Sequence, residues 1–470
     1  MPFKFPRILA ASLAILGLVG CASVSPDGGF GVVAQQAGGH LDATLSYQRT
    51  LQDTDAARER TAQLLAQPLS AATAVQIALL GNRELQARYG QLGLAEAERV
   101  RAATLPNPLL SLGRLAGGGV VEIDRALSLD VLGLFTLPLA RQLGERQLRQ
   151  AQWQAAIDTI ATAAAARKAF YGAVAARQLA DYAAQAADAA DAASELAARM
   201  QAAGNFSRLE RLREQAFAQQ AGSQLTRARH QQAAAQERLA RALGLTREQG
   251  MPKLPERLPD LPQAPLAAPT VEQAAIDRRL DVQLARQAVE ASADALGLSH
   301  ATSVVNALEI GAQNRSATGE PLARGYEVTL ALPLFDFGQA RNARAQALYM
   351  QAVHRTAAVA QQARSEVREA WSLYQSSWQL ARLQQAEVVP LGQQVSEEMV
   401  LRYNGMFASV FDLLADARRQ AGAVMQAIEA LRDFWIADTD LQSAQSIGLA
   451  QTAVPVFSTG SEPEAASAGH

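Results

Sequence analysis

A reacting site needs nucleophiles, acids, bases or metal ligands at fixed spacings, and this sequence supplies few. The five histidines, His40, His230, His300, His354 and His470, are scattered, with no pair at metal-ligand spacing. Cys21 is the only cysteine, so one chain can form no internal disulfide. The triplet Gly117-Gly118-Gly119 lacks the following helix and lysine that a phosphate-cradling loop requires, and it reads as a turn. No constellation of acid, base and nucleophile remains, so the chain is read as a non-enzyme with no cofactor and no metal. A formal net charge of −2 argues against nucleic-acid binding driven by a basic surface.

Cys21 does have a chemical context. Lys4 and Arg7 form a positive start, Ile8 to Val19 an apolar stretch, and Leu18-Val19-Gly20-Cys21 is similar to the lipobox of bacterial lipoproteins. Residues 1–20 are then a signal peptide, and the Cys21 thiol becomes a lipid-bearing thioether. Ala22 and Ser23 follow, without the aspartate that in such leaders commonly retains a lipoprotein at the inner membrane, so outer-membrane delivery is expected. The alternative is an ordinary secretory leader with an incidental cysteine. No later stretch is long and apolar enough for a membrane-spanning helix.

The remaining elements are mainly helical. The chain is 49% hydrophobic but only 5% aromatic, a composition that favours closely approaching helices over a bulky core. Leu139 to Gln201 and Phe335 to Arg402 each read as one uninterrupted helix, about 95 Å long at ~1.5 Å per residue. Trp153, Ile157, Ile160, Ala164, Tyr171 and Val174 recur at alternating spacings of three and four. Val353, Ala357, Ala360, Val367, Trp371, Tyr374 and Trp378 do the same, with Arg167 and Arg364 as polar interruptions of the two seams.

In chain order, an N-terminal segment (21–69) is polar and glycine-dotted, with a short helix at 58–65. A helix capped by Ser70 runs to Thr104, where Leu105-Pro106-Asn107-Pro108 stops it. Leu109 to Ala116 reads as a strand. After the glycine turn, Val121, Ile123, Leu127 and Leu129 alternate with Glu122, Asp124, Ser128 and Asp130 as a second. Leu137-Pro138-Leu139 opens the first long helix, which ends at Ala203-Gly204-Asn205, and a shorter helix spans 207–243. A proline-rich linker (246–269) follows. The programme then restarts: helix 270–299, strand 304–312, polar loop 314–325, strand 326–332, the second long helix, a reversal at Tyr403-Asn404-Gly405, and a last helix 409–447. Residues 449–470 read as a disordered tail.

Local identities support a duplication. Thr73, Gln76 and Ala78 match Thr270, Gln273 and Ala275; Leu137-Pro138-Leu139 matches Leu332-Pro333-Leu334; Gly204 and Phe206 match Gly405 and Phe407. The offsets are nearly equal, so two repeats (70–245 and 270–448) of ~200 residues are expected. In each, two half-length helices of about 34 and 37 residues sum to the long helix and can lie end to end beside it. Four strands per chain cannot close in lipid, where an open edge strands unpaired amides; three chains give a twelve-stranded barrel with a lumen. A soluble hairpin capping a helical bundle is the alternative.

The lipobox, the two repeats, Leu-Pro-Asn-Pro before the first strand, Leu-Pro-Leu-Phe-Asp-Phe-Gly at 332–338 and the glycine turns at 204 and 405 together resemble the TolC-like outer-membrane efflux factors, in their lipid-modified branch. The resemblance implies a mainly α fold with a small β part: a long coiled-coil helical barrel in the periplasm and four strands per chain in a trimeric twelve-stranded transmembrane β-barrel. It implies a homotrimer in the outer membrane that serves as exit duct of a tripartite pump, with a periplasmic adaptor and an inner-membrane RND-type pump as partners. The tips that would meet the adaptor are Gly204, Asn205, Phe206, Ser207, Arg208, Leu209 and Gly405, Met406, Phe407, Ala408, Ser409, Val410. Glycine there would let the chain reverse through a left-handed conformation. Just past the tips, Glu210, Asp412 and Asp416 are candidates for a periplasmic gate, as threefold rings of carboxylates. The family often carries an aspartate six residues after the tip glycine; here Phe411 holds that position and Asp412 follows it, so a solvated helix face stands as the alternative for Asp412. A lipid-anchored periplasmic coiled-coil scaffold without a pore is the alternative function.

Overall fold

The computed structural model describes residues 23–266, 279–301, 308–330, 335 and 337–449. Cys21, the Leu332-Pro333-Leu334 motif, the expected starts of the helix at 270 and the strand at 304, and the tail from 450 onward lie outside the described residues. In chain order come α1 (Phe30–Gly38), α2 (Leu51–Leu65), α3 (Ala71–Gly81), α4 (Arg83–Ala102), β1 (Leu109–Gly117), β2 (Val120–Asp130), α5 (Val131–Ala202) and α6 (Arg208–Leu243). The second repeat gives α7 (Leu280–Ala301), β3 (Leu308–Ala317), β4 (Ala323–Leu330), α8 (Gln339–Leu383), a π-helical turn (Gln384–Val388), α9 (Val389–Asn404) and α10 (Val410–Ser446).

Several boundaries differ from expectation. α1 was not foreseen, and α2 is longer than the short helix at 58–65. The helix capped by Ser70 has the expected cap, a reciprocal box with Thr73, but breaks at Asn82 (φ −71°, ψ 108°) into α3 and α4. A Cβ on Gly81 would lie 2.8 Å from the Leu243 carbonyl oxygen, and one on Gly244 2.5 Å from the Gly81 carbonyl oxygen. Two glycines thus let the backbones touch where α3 ends.

The first long helix starts eight residues before Leu139, at Val131, because Asp130 caps it by accepting from the Gly133 amide at 3.0 Å; Pro138 lies inside it rather than at its first turn. The second long helix is not uninterrupted. Pro390 has no amide to donate and its ring crowds the preceding turn, and the wide π turn at Gln384–Val388 stands directly before it. Residues 314–317, expected in a loop, extend β3, because Asn314 and Arg315 pair in register with Arg125 and Asp124.

The chain forms two compact units. In the first (1–55, 83–159, 269–365), α4 runs antiparallel to the start of α5: Tyr89 Oη and Thr159 Oγ1 are 2.7 Å apart, and Ala102 and Arg99 face Gly144. Phe30, Tyr47 and Tyr89 form an aromatic triad that ties the N-terminal segment to α4. Arg146 of α5 pairs with Glu290 and Asp294 of α7, linking the repeats. α7 lies antiparallel on α8, with Ser299 donating to Asn342 (2.6 Å) and Thr356 to the Ala285 carbonyl (3.0 Å).

In the second unit (56–82, 160–268, 366–470), α6 covers the rest of α5 through alanines: Ala187 and Ala190 meet Ala218 and Ala221, and Ala180 and Ala183 meet Ala228. Phe170, Tyr171 and Val174 join Leu239, Leu243, Ile428 and Leu431 in the main core. Each part of α5 is thus lined by one half-length helix, as the length arithmetic requires. The α8 seam is only partly as expected: Val367, Tyr374 and Trp378 are buried, but their companions are Ala363, Ala370 and Ala381, while Ala357 is exposed.

Candidate functional site

Two features stand out, the sheet of the first unit and the paired turns of the second. The sheet has order β1-β2-β3-β4, all antiparallel, so β2 and β3 join the hairpins of the two repeats and β1 and β4 are left as edges. Gly118 and Gly119 (φ 59° and 84°) make the two-residue turn that matches strand twist. Cross-strand partners share a face, so the register assigns every side chain. One face carries Leu110, Leu127, Ala312 and Tyr326 in one row, Leu129, Ile310 and Val328 in the next, and Leu308 with Leu330 beyond. The other carries all five strand carboxylates, Glu122, Asp124, Asp130, Glu309 and Glu327, with Arg315 held 2.8 Å from both Asp124 and Glu122.

Toward the helix end of β2 the apolar face is the more open one. Leu127 and Leu129 are exposed, whereas Glu122, Asp124, Ser128 and Asp130, which alternate with them, are half-buried. A sheet in water would show the reverse. Among the described residues, no helix is long and apolar enough to cross a membrane.

At the turns, α5 and α6 reverse through Gly204 (φ 79°), with the Asn205 amide donating to the Met200 carbonyl at 2.9 Å. α9 and α10 reverse in the same way, but the left-handed residue is Met406 (φ 60°), and the Phe407 amide donates to the Arg402 carbonyl at 2.8 Å. Gly405 has φ −79°, so the expectation of a left-handed Gly405 is corrected. Ser207 and Ser409 each cap the next helix in a reciprocal box, with Glu210 and Asp412 as its third residue. Hydrogen bonds from Ser207 and Ser409 hold the Glu210 and Asp412 carboxyls below their ordinary ranges.

The remaining tip residues separate by exposure. Met406 and Phe407 are 93% and 88% exposed, and Leu209 is also exposed. Phe206 is half-buried and stacks on Phe411 with ring centroids 4.1 Å apart, joining the two tips; Ala408 and Val410 are half-buried, and Asn205 and Arg208 exposed. Asp416 is 4% exposed, accepting from Ser396 and lying 3.3 Å from Arg419, so it is a packing carboxylate between α9 and α10. Sequence reading missed the Phe206–Phe411 stack and the seating of Arg418 on Phe217 (3.8 Å) beside Glu214. It also missed the register of the second tip, which the Ser-x-x-Glu and Ser-x-x-Asp capping patterns carry. Among the described residues no cluster could hold a metal ion.

This fold matches that of solved TolC-like outer-membrane channels. The outer-membrane channel OprN matches at 18% identity, covering 87% of this chain and 95% of that one, with TM-score 0.67. CusC, described for its folding and transmembrane channel formation, matches at 16% identity over 80% and 92%, TM-score 0.67. The outer-membrane protein VceC of Vibrio cholerae matches at 16% over 82% and 96%, TM-score 0.65. At these identities the likeness establishes the fold. No family model matches the chain, and no curated protein matches it in sequence.

Proposed function

We propose that three copies close the four-stranded sheets into a twelve-stranded barrel in the outer membrane, and that the protein is the exit duct of a tripartite efflux system. The observation that carries this reading is the two-faced sheet: one face with Leu110, Leu127, Leu129, Ile310, Tyr326 and Val328 exposed, the other holding all five carboxylates, and two unpaired edges. In lipid each unpaired edge amide costs several kcal/mol, and pairing β1 of one copy with β4 of the next removes both edges. The apolar face then meets acyl chains and the acidic face lines a wet lumen that conducts small molecules or ions passively. Lipid on Cys21 would anchor the N-terminus in the same membrane.

The tips would meet a periplasmic adaptor, with Met406 and Phe407 as the apolar groups a partner helix would bury, and an RND-type pump would sit behind it. Three copies would present rings of Glu210 and Asp412, both exposed and ionised, at the mouth; Asp416 is occupied by Ser396 and Arg419. Neighbours described as outer-membrane channels have this fold, which supports the reading. Its test is the mass of the purified protein in detergent, weighed intact. Three chains are expected; a monomer with a stable helical spectrum would favour the lipid-anchored scaffold.

A further inference from the structure

The apolar face of the sheet is interrupted on its hairpin side by arginine. In register with the turns, one row holds Leu112, Arg125, Asn314 and Arg324, and the next holds Arg114 beside Ile123 and Ser316. Three of the four strand arginines therefore sit on the face that carries no carboxylate, while Arg315 lies opposite with its acidic partners. All three are exposed, Arg125 is steadied by donating to Asn314 Oδ1 at 3.2 Å, and neither Arg114 nor Arg324 pairs with a described carboxylate. Adjacent strands lie ~4.8 Å apart and same-face neighbours ~7 Å apart along a strand, so Arg125 sits about 8 Å from Arg114 and about 10 Å from Arg324, and the outer two are about 16 Å apart, a span that suits a headgroup bearing two phosphates.

We propose that Arg114, Arg125 and Arg324 form a binding site for the phosphate groups of an anionic membrane lipid, in the leaflet on the hairpin side. The rows of Leu127, Ile310 and Leu330 lie on the helix side of the arginines and would receive that lipid's acyl chains, so headgroup and tail are met in the right order. Guanidinium is the group of choice because its forked donors match phosphate oxygens in pairs. A solvated arginine row alone would not need an acid-free, apolar-bordered face. The helices join the strands at the end away from the turns, so the site faces the outer leaflet if the proposed orientation holds; the inference rests on that channel reading.

The test uses the full-length trimer in phosphatidylcholine nanodiscs doped with a diphosphorylated glycolipid, with co-purified lipid counted by native mass spectrometry. At about fivefold per arginine, R114Q/R125Q/R324Q should retain roughly a hundredfold less glycolipid, while R315Q retains as much as wild type. Equal retention by the triple variant, or an equal loss in R315Q, overturns the site. Displacement of the glycolipid by millimolar inorganic phosphate overturns the commitment to a lipid. Conductance of the triple variant in planar bilayers is read in parallel. A variant that conducts but retains glycolipid refutes the site alone, whereas a wild type that never inserts refutes the channel reading with it.

Discussion

Met406 occupies at the second tip the position that Gly204 occupies at the first. Each is the left-handed residue of its turn, each is followed three residues later by a capping serine, and each is followed six residues later by a carboxylate, Asp412 and Glu210. Counted from Met406 rather than Gly405, Asp412 is in register with Glu210, and the one-residue departure noted in the sequence disappears. Met406 is the only non-glycine residue with positive φ among the described residues. Its left-handed backbone costs roughly 1 kcal/mol, and its side chain is almost wholly exposed.

Met406→Gly should therefore stabilise the tip by about 1 kcal/mol while weakening capture of the adaptor, because it removes strain and contact surface together. Amide exchange over 401–412 and adaptor pull-down read the two effects separately. Unchanged capture would show that the exposed methionine is not a docking group.

Phe206 and Phe411 stack nearly parallel, at 14°, and so couple the tips of the two repeats. A double-mutant cycle of Phe206→Ala and Phe411→Ala, read by exchange protection at both turns, should give a coupling of about 1 kcal/mol. Additive single effects would mean the tips move independently.

The capping boxes also set a pH dependence. The Ser207 and Ser409 hydrogen bonds hold the folded Glu210 and Asp412 carboxyls below their ordinary values, so as pH falls through the carboxylate range the folded chain binds fewer protons than the unfolded one. Their stabilisation is complete above those values and is lost as pH falls through the lowered ones. Protection factors over 207–214 and 409–416 should fall with acidification, and Ser207→Ala with Ser409→Ala should abolish that dependence, at a cost of ~1 kcal/mol per cap. Protection that is flat with pH would contradict it.

The contact between Gly81 and Gly244 makes a sharp pair of predictions. Gly244→Ala would place a methyl 2.5 Å from the Gly81 carbonyl oxygen at φ 71°, and should destabilise the protein by at least about 2 kcal/mol in thermal unfolding. Gly222→Ala, in open space inside α6, should stabilise it by up to ~1 kcal/mol. Equal melting points would mean the backbone relaxes around Gly244.

Helix identity and the duplication were legible because apolar spacing, Ser70, Ser207 and Ser409 are local signals. The α3–α4 break was not, since it depends on Gly81 meeting Gly244 some 160 residues away. Nor was the start of α5, where Asp130 ends a strand and caps a helix at once. Glycine marks the left-handed position at Gly204 but lies one residue early at Gly405, where the Ser409 capping box gives the register instead. The face assignment of Arg114, Arg125 and Arg324 needed the pairing register, which alternation in one strand cannot supply.

Closure of the exposed apolar sheet into a pore is read by single-channel recording in planar bilayers. Wild-type protein should give discrete conductance steps, and deleting the hairpin segments 111–127 and 311–327 should abolish them while leaving the helical spectrum intact. Undiminished conductance without the hairpins, or none from intact wild-type protein, would mean that the sheet forms no pore.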